Sequence, residues 1–476
     1  MALAKTIIKN TGFLFWNEII NKLLSFFLVI IITRYLGDVG YGKYSFAFAF
    51  ISLFIMLSHI GLTTYIFREI AKDRQQAGKL LSSVFSLKIL LISLLYLIII
   101  PVSYFMPTTK KIILVILLVA IHESFTVMNS LIGIVYKAFE KGEYNSYSTM
   151  IDRILALVFA YLVLTKGYGI YVLMGALILS KIFAFVFNYF TCTKKFAKIQ
   201  LSADFGHWKK LVRNSLPFWF TLIFRKIYYE TDKVMLAAFR GFAVTGWYSA
   251  AATLIGALTV IPSIITYGSF PAMARFHHQG SKKLLKILYK KVFYYLLVIG
   301  IPVVIGISLL SGRIIIFIYS NEFIRSGFIL KILSWGLLLI FLNHIMGNLL
   351  NAINKQSLFT LSTGISAFMN ILLNAVLIPF YSYIGAAFAT IATQAVNFFV
   401  LYYFTSKEGY PLNMLSLTYK PLIAAIIMAL AVYIIRAFHI LYIIPIAALV
   451  YFCMLIILGG LEKEEINLIR SFKKGK

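Results

Sequence analysis

Long uncharged runs decide what this chain can fold into. "LYIIPIAALVYFCMLIILGG" and "LLISLLYLIIIPVSYF" are two of them, among fourteen predominantly apolar runs. A helix rises about 1.5 Å per residue, so roughly 20 apolar residues cross the ~30 Å hydrocarbon layer of a bilayer. Inside that layer no water serves the backbone N–H and C=O groups, which leaves helices and closed barrels as the spanning structures. Runs of this length predict helices over residues 13–34, 44–67, 81–106, 112–136, 147–165, 170–193, 216–239, 243–270, 292–310, 326–350, 357–378, 384–405, 418–436 and 440–460. The composition agrees, with 61% hydrophobic and only 13% charged residues, where a soluble domain carries about 25% charged. The expected fold is all-α, a polytopic membrane protein of about fourteen transmembrane helices.

A net charge of +29 would suit a nucleic-acid partner, but its distribution argues against one. With the N-terminus placed in the cytoplasm, and Arg34, Lys420 and Arg436 at span edges counted with the adjoining segments, inside segments hold 28 of the 45 Lys and Arg, outside loops 9 and the spans 8. That is the positive-inside asymmetry of a membrane protein. It predicts a multi-pass protein of the cytoplasmic membrane with both termini in the cytoplasm, attracted to anionic lipid by the same charge. The N-terminal "MALAKTIIKN" has no small-residue cleavage site after it and reads as the approach to a retained first span. Cys192 and Cys453 lie far apart in apolar context and read as buried small hydrophobes, not metal ligands.

Residues 34–45, "RYLGDVGYGKYS", return 204 positions later as "AFRGFAVTGWYS". Gly37/Gly241, Gly42/Gly246, Tyr44/Tyr248 and Ser45/Ser249 are identical, and the register extends to Asn10/Asn214, Ile19/Ile223, Lys22/Lys226, Ala47/Ala251 and Ile51/Ile255. A weaker echo joins "YKAFEKGEY" (136–144) to "LNAINKQSL" (350–358). Shared membrane composition is the bland explanation; duplication of a six-span unit is the specific one. The expected domains are an N-terminal bundle at 1–207, a C-terminal bundle at 208–405, and spans thirteen and fourteen with a basic tail at 406–476. Parallel repeats of this kind place a substrate site between the halves. Three inside segments, 194–214, 275–291 and 462–476, alternate apolar and basic residues as headgroup-level helices do.

Ionisable residues at bilayer depth cost about 2.5–3.5 kcal/mol on insertion scales and so face partners or water. Span one carries Glu18 and Lys22 one turn apart; span seven carries Arg225, Lys226, Glu230, Asp232 and Lys233. Arg225 lies nine residues past Leu216, roughly 13 Å of helix rise, near the midplane. Lys22, Arg225, Lys226 and Lys233 are therefore candidates for an anion-binding cavity. The alternative is structural pairing, Lys22 with Glu18 and Lys226 with Glu230; Arg225 has no acidic mate one turn away and is singled out for the cavity role. Glu18, Glu123, Asp152, Glu230 and Asp232 are the candidate cavity carboxylates, and Glu123 is the candidate for proton or sodium coupling. Lys88, Lys181 and Lys331 are single lysines that either snorkel or face the cavity. His122 and His344 read as packed side chains. Asn351, Asn354, Asn370 and Asn374 either contact sugar hydroxyls or bridge helices, with bridging favoured.

No glycine-rich nucleotide loop, paired metal-spaced histidines or nucleophile elbow is present in the sequence. The reading is a transporter and not an enzyme, with no metal site and no cofactor beyond a coupling H+ or Na+. A membrane-embedded glycan polymerase or ligase is the enzyme alternative, and the short outside loops speak against it.

"ITRYLGDVGYGKYSFAFAF", then "GLTTYIFREIAK", "NLLNAINKQSLFTLST" and "NILLNAVLIPFYSYIGAAFATIATQ" resemble the polysaccharide-biosynthesis flippases of the multidrug/oligosaccharidyl-lipid/polysaccharide exporter superfamily, over the chain to about residue 405. The resemblance implies a V-shaped pair of six-helix bundles with alternating access. It implies a polyprenyl-phosphate- or diphosphate-linked oligosaccharide as substrate, moved from the cytoplasmic to the outer leaflet, with glycan-assembly enzymes as partners. Relatives that flip the peptidoglycan precursor also have fourteen spans and use cavity arginines near the start of the chain, where this sequence has Glu18 and Lys22. A peptidoglycan-precursor flippase and a cation-coupled multidrug exporter of the same fold are the alternatives.

Overall fold

The computed structural model describes residues 2–105, 110–202 and 204–460, without the side chains at 2–18, 105, 110, 207, 214, 216–218, 220 and 221. Its regular elements are helices: α1 (Ala2–His59), α2 (Leu62–Lys72), α3 (Ala77–Phe105), α4 (Lys110–Ala138), α5 (Gly142–Thr165), α6 (Ile170–Lys195) and α7 (Phe205–Arg240). They continue as α8 (Phe242–Leu258), α9 (Val260–His278), α10 (Lys282–Ile318), α11 (Ile324–Ala352), α12 (Gln356–Lys407), α13 (Met414–Ile434) and α14 (Ile440–Ile457). The all-α membrane fold expected from hydropathy is what forms.

Eleven stretches among the described residues are long and apolar enough to cross a membrane. Two of them contain a break: Gly37 (φ 66°) divides α1, and Ser382 (φ 54°) divides α12. α7 is as long as its neighbours and misses the apolar criterion because of its charges. Counting both halves of the broken helices and α7 gives fourteen crossings, matching the hydropathy reading.

Some boundaries differ. The second span ends at His59, short of the expected residue 67, because Ile60 (φ 37°) and Gly61 (φ 66°) turn the chain left-handed. α2 then runs as a separate amphipathic helix that buries Leu62, Ile66 and Ile70. Residues 196–202 are not helical and are tied to α3: Gln200 N donates to Ser82 Oγ at 2.9 Å, and Ser202 N to Ser86 Oγ at 2.9 Å. Residues 282–291 are the first turns of α10, with Leu285 and Tyr289 buried and Lys282, Lys283, Lys286 and Lys290 exposed. At 37 residues, α10 outruns the hydrocarbon, and its basic start projects beyond it. The expected amphipathic tail at 462–476 lies outside the described residues.

The chain forms two compact units, Met1–Ser249 with Asn374–Ser382, and Ala250–Leu373 with Tyr383–Lys476. In the first, α7 packs against α1 and α2. Trp219 Nε1 donates to Met56 O at 2.9 Å, and Lys226 Nζ to Ser52 Oγ at 3.3 Å. Residues 374–382 are held to α7 by Asn374 and by Arg240, whose guanidinium donates to the carbonyls of Ile378 and Pro379. In the second unit, α10 and α11 pack so closely that a Cβ on Gly327 would meet Gly312 Cα at 2.8 Å. The α13–α14 hairpin is fastened to α10 at three levels. Tyr294 hydroxyl donates to Gly460 O at 2.6 Å, Tyr451 hydroxyl to Val298 O at 2.8 Å, and Arg313 Nη1 to Phe438 O at 3.1 Å.

The repeated turns share their geometry. Gly37 and its mate Gly241 both take positive φ, 66° and 83°, a conformation that costs glycine nothing. The weaker echo holds as well. Glu140 and Asn354 both sit at φ 60°, and Lys141 N bonds Tyr136 O just as Lys355 N bonds Leu350 O, each at 2.8 Å. Gly42 and Gly246 meet one another reciprocally. A Cβ on Gly42 would lie 1.7 Å from Phe242 O, and one on Gly246 would lie 2.1 Å from Asp38 O. Phe242 is the repeat mate of Asp38, so the contact obeys a local two-fold. Trp247 Nε1 closes it with a 2.8 Å bond to Asp38 Oδ2. Gly42→Ala and Gly246→Ala should each lower stability by about 1–3 kcal/mol or more, the cost of overpacking against rigid backbone. Gly256→Ala, with nothing within 4 Å of its Cβ, should leave stability unchanged, as thermal unfolding of the detergent-solubilised variants would show.

Candidate functional site

Within the first unit, α1, α2, α4, α5, α6 and α7 surround a cavity of about 600 Å³. Each helix turns a polar stripe toward it: Asn129, Gly133 and Lys137 on α4; Asn145, Thr149 and Asp152 on α5; Lys181, Ala184 and Asn188 on α6. These spacings of three and four residues put the side chains of one helix on one face. The faces are stitched together, with Asn129 Nδ2 donating to Lys181 O at 3.3 Å and Asn188 Nδ2 to Asn129 Oδ1 at 2.8 Å.

The charge of the cavity is lopsided. Lys137, Arg153, Lys181 and Lys226 line it, with His59, against a single lining carboxylate, Asp152. Asp152 is buried and already engaged: Lys181 Nζ donates to Oδ2 at 2.7 Å and Ser180 hydroxyl to Oδ1 at 3.1 Å. Both ends of this pair sit ten or eleven residues into their helices, roughly 15 Å of rise. Buried ions of opposite sign hold together where removing either partner strands the other. Lys137, Arg153 and Lys226 are left with no lining carboxylate of their own, and Arg153 Nε is a buried donor with no hydrogen-bond partner among the described residues. A cavity with surplus positive charge and an unused donor suits an anion with several acceptor oxygens.

Of the residues singled out from the sequence, Lys226 and Asp152 line this cavity. Lys22 and Arg225 are exposed and are not among its lining residues. Lys233 pairs with Glu230 at 2.8 Å, and Lys226 instead donates to Ser52. Asp232 is buried away from the cavity, accepting from Tyr248 hydroxyl and from Asn374 Nδ2, each at 2.5 Å. Asn374 therefore bridges helices. Asn370 is fully buried with both amide atoms unpartnered among the described residues, while Asn351 lies in the last turn of α11 and Asn354 in the turn after it. Glu123 accepts from or donates to His122 Nδ1 at 3.1 Å, and the His122 ring packs edge-on against Phe48. The side chain of Glu18 lies outside the described residues. Sequence reasoning did not assemble Lys137, Arg153 and His59 into a site. The polar stripe of α4 was the signal available, since Asn129, Gly133 and Lys137 recur at helical spacing inside an otherwise apolar span.

Comparisons with known proteins bear on the family and the fold. The chain is 21% identical over 402 residues to the capsular polysaccharide biosynthesis protein CapF of Staphylococcus aureus, covering 84% of this chain and 99% of that one. It is 28% identical over 153 residues to the probable low-salt glycan biosynthesis flippase Agl15 of Haloferax volcanii, covering 32% and 31% of the two chains. Among solved structures, its fold is similar to the lipid II flippase MurJ in an inward closed conformation, with TM-score 0.75, 18% identity and coverage of 93% and 98%. It is also similar to an inward-facing multidrug resistance MATE family transporter, with TM-score 0.68, 15% identity and coverage of 81% and 95%. The fold is thus one that flippases and transporters share. The family match itself spans residues 7–277, and by it the chain belongs to the polysaccharide biosynthesis protein family.

Proposed function

We propose that the protein is a flippase for a polyprenyl-phosphate- or diphosphate-linked oligosaccharide, carried from the cytoplasmic to the outer leaflet by alternating access during cell-surface glycan assembly. The observation that carries this reading is the surplus positive charge of Lys137, Arg153 and Lys226 in a polar cavity inside a membrane unit. A lipid phosphate loses its hydration on leaving the interface, and charge-assisted hydrogen bonds from these side chains replace it. Asn129, Asn145 and Asn188 suit the sugar hydroxyls, and the prenyl chain stays in lipid.

The charge bias of the sequence supports a cytoplasmic α4–α5 turn. In that orientation Lys137 and Asn145 mark the cytoplasmic end of the cavity, and the Gly42–Gly246 crossing lies toward the opposite face. A site loaded from the inner leaflet would be arranged this way. Organic cations, the cargo of a drug exporter, would meet repulsion in the same place. Glu123 and Asp152 are the carboxylates through which H+ or Na+ would couple, and the enzymes that build and use the glycan are the expected partners.

Two outcomes test the site. In proteoliposomes, Lys226→Ala and Arg153→Ala should each slow the flipping of a lipid-diphosphate glycan at least tenfold, while Lys166→Ala, an exposed residue, leaves the rate intact. Wild-type protein that moves no such lipid would defeat the reading. Asp152→Asn and Lys181→Met should each destabilise the fold by about 3–5 kcal/mol, the cost of stranding one member of a buried pair. The double variant should recover most of that loss in thermal unfolding, which identifies the pair as a coupled unit.

A further inference from the structure

The three asparagines that line the cavity, Asn129, Asn145 and Asn188, are not interchangeable. Asn145 turns its amide oxygen against Gly133, where a Cβ would lie 2.1 Å from Oδ1. Asn129 is engaged at both ends, donating through Nδ2 to Lys181 O at 3.3 Å and accepting through Oδ1 from Asn188 Nδ2 at 2.8 Å. Asn188 is 1% exposed, and its Oδ1 is buried with no hydrogen-bond partner among the described residues.

The polarity of this row is fixed from one end. A backbone carbonyl only accepts, so the group that Asn129 turns to Lys181 O is its NH2. The oxygen of Asn129 then faces Asn188, and the group of Asn188 that meets it is again an NH2. Neither amide can turn over without setting oxygen against oxygen. Tyr136 hydroxyl, which donates to Asn188 O at 2.9 Å, ties α4 to α6 at the same level. The oxygen left over at the end of the row is Asn188 Oδ1.

The charged groups of the wall supply the opposite chemistry. Lys137, Arg153 and Lys226 only donate, and Asp152 is already taken by Lys181 and Ser180. A buried acceptor left without a donor keeps the penalty of its desolvation. A ligand that brings a donor to this oxygen removes that penalty.

Resting on the flippase reading above, we propose that Asn188 is a specificity-determining residue of the cavity: its Oδ1 accepts a hydrogen bond from a hydroxyl or amide N–H of the ligand's sugar. Asn129 is the positioning residue that keeps this oxygen, and not the NH2, as the free end of the row. The cavity therefore selects a glycan with a donor at that point and rejects one that offers only an acceptor. Such discrimination is steep, because the wrong ligand leaves a buried group unpaired.

The test uses the purified full-length chain in detergent, with glucosyl farnesyl diphosphate as probe. Its monodeoxyfluoro analogues replace one hydroxyl at a time by a fluorine that cannot donate. Calorimetry reads affinity, and thermal unfolding confirms that each variant folds. The wild type is expected to bind one of the analogues about tenfold more weakly than the parent, the scale of one buried polar group left unpaired. Asn188→Leu is expected to bind the parent as weakly as the wild type binds that analogue, and to treat the two alike. Asn129→Leu, which lets the Asn188 amide turn over, is expected to narrow the discrimination to within about threefold. It serves if Asn188→Leu fails to fold.

A wild type that binds the parent and every analogue alike would overturn the proposal. So would a folded Asn188→Leu or Asn129→Leu that keeps the full discrimination, or a wild type that binds none of the probes. If discrimination behaves as expected while the wild type flips no lipid-linked glycan in vesicles, the flippase reading falls and the assignment of Asn188 stands. If the wild type flips such a lipid without discriminating, the assignment of Asn188 alone falls.

Discussion

Charge within a bilayer must be matched or wetted, and this requirement organises the first unit. Asp152 and Lys181 cancel one another at 2.7 Å between α5 and α6. That pair lets two polar helix faces meet without leaving an ion stranded. Around it, asparagine side chains reach across to backbone carbonyls and to each other, so three helices share one polar seam. The seam is what keeps the remaining wall cations close together without collapsing the space between them. Break the pair by removing one member and the other is left as one more stranded ion in the seam.

The second unit solves a different problem. Glycine contact between α10 and α11 and dense apolar packing hold it, with few charges involved. Buried amides do the bridging, as where Asn343 Nδ2 donates to Gln394 Oε1 at 3.0 Å. The α13–α14 hairpin reaches this unit through side chains that bond backbone carbonyls, those of Gly460 and Phe438 beyond helix ends and that of Val298 within α10. An appended hairpin is thereby tied in without any change to the interior it covers.

How far the sequence reveals this molecule depends on the range of the interaction. The crossings were legible because hydropathy is a property of each segment alone, and even α7, with its many charges, was recoverable from its length and flanks. The turn at Gly37 was legible because its twin at Gly241 repeats the same residue for the same backbone reason. The convergence of Arg153, Lys137 and Lys226 was not legible. Spacing along a helix tells which side chains share a face, and says nothing of which other helix that face meets. Asp232 illustrates the point: read as a cavity carboxylate, it bonds Asn374, 142 positions away. The end of the second span was missed for a local reason, since Ile60 adopts a left-handed conformation that β-branched residues rarely take.

The reciprocal meeting of Gly42 and Gly246 also bears on the history of the chain. After a duplication, two copies drift apart wherever each answers only to its own surroundings. Where one copy is the other's surroundings, a change in either must be accepted by both, and drift is arrested. Four of the nine identities, at Gly37, Gly42, Tyr44 and Ser45 and their mates, fall within this short stretch. The likeness of these two turns is a standing requirement of their mutual fit.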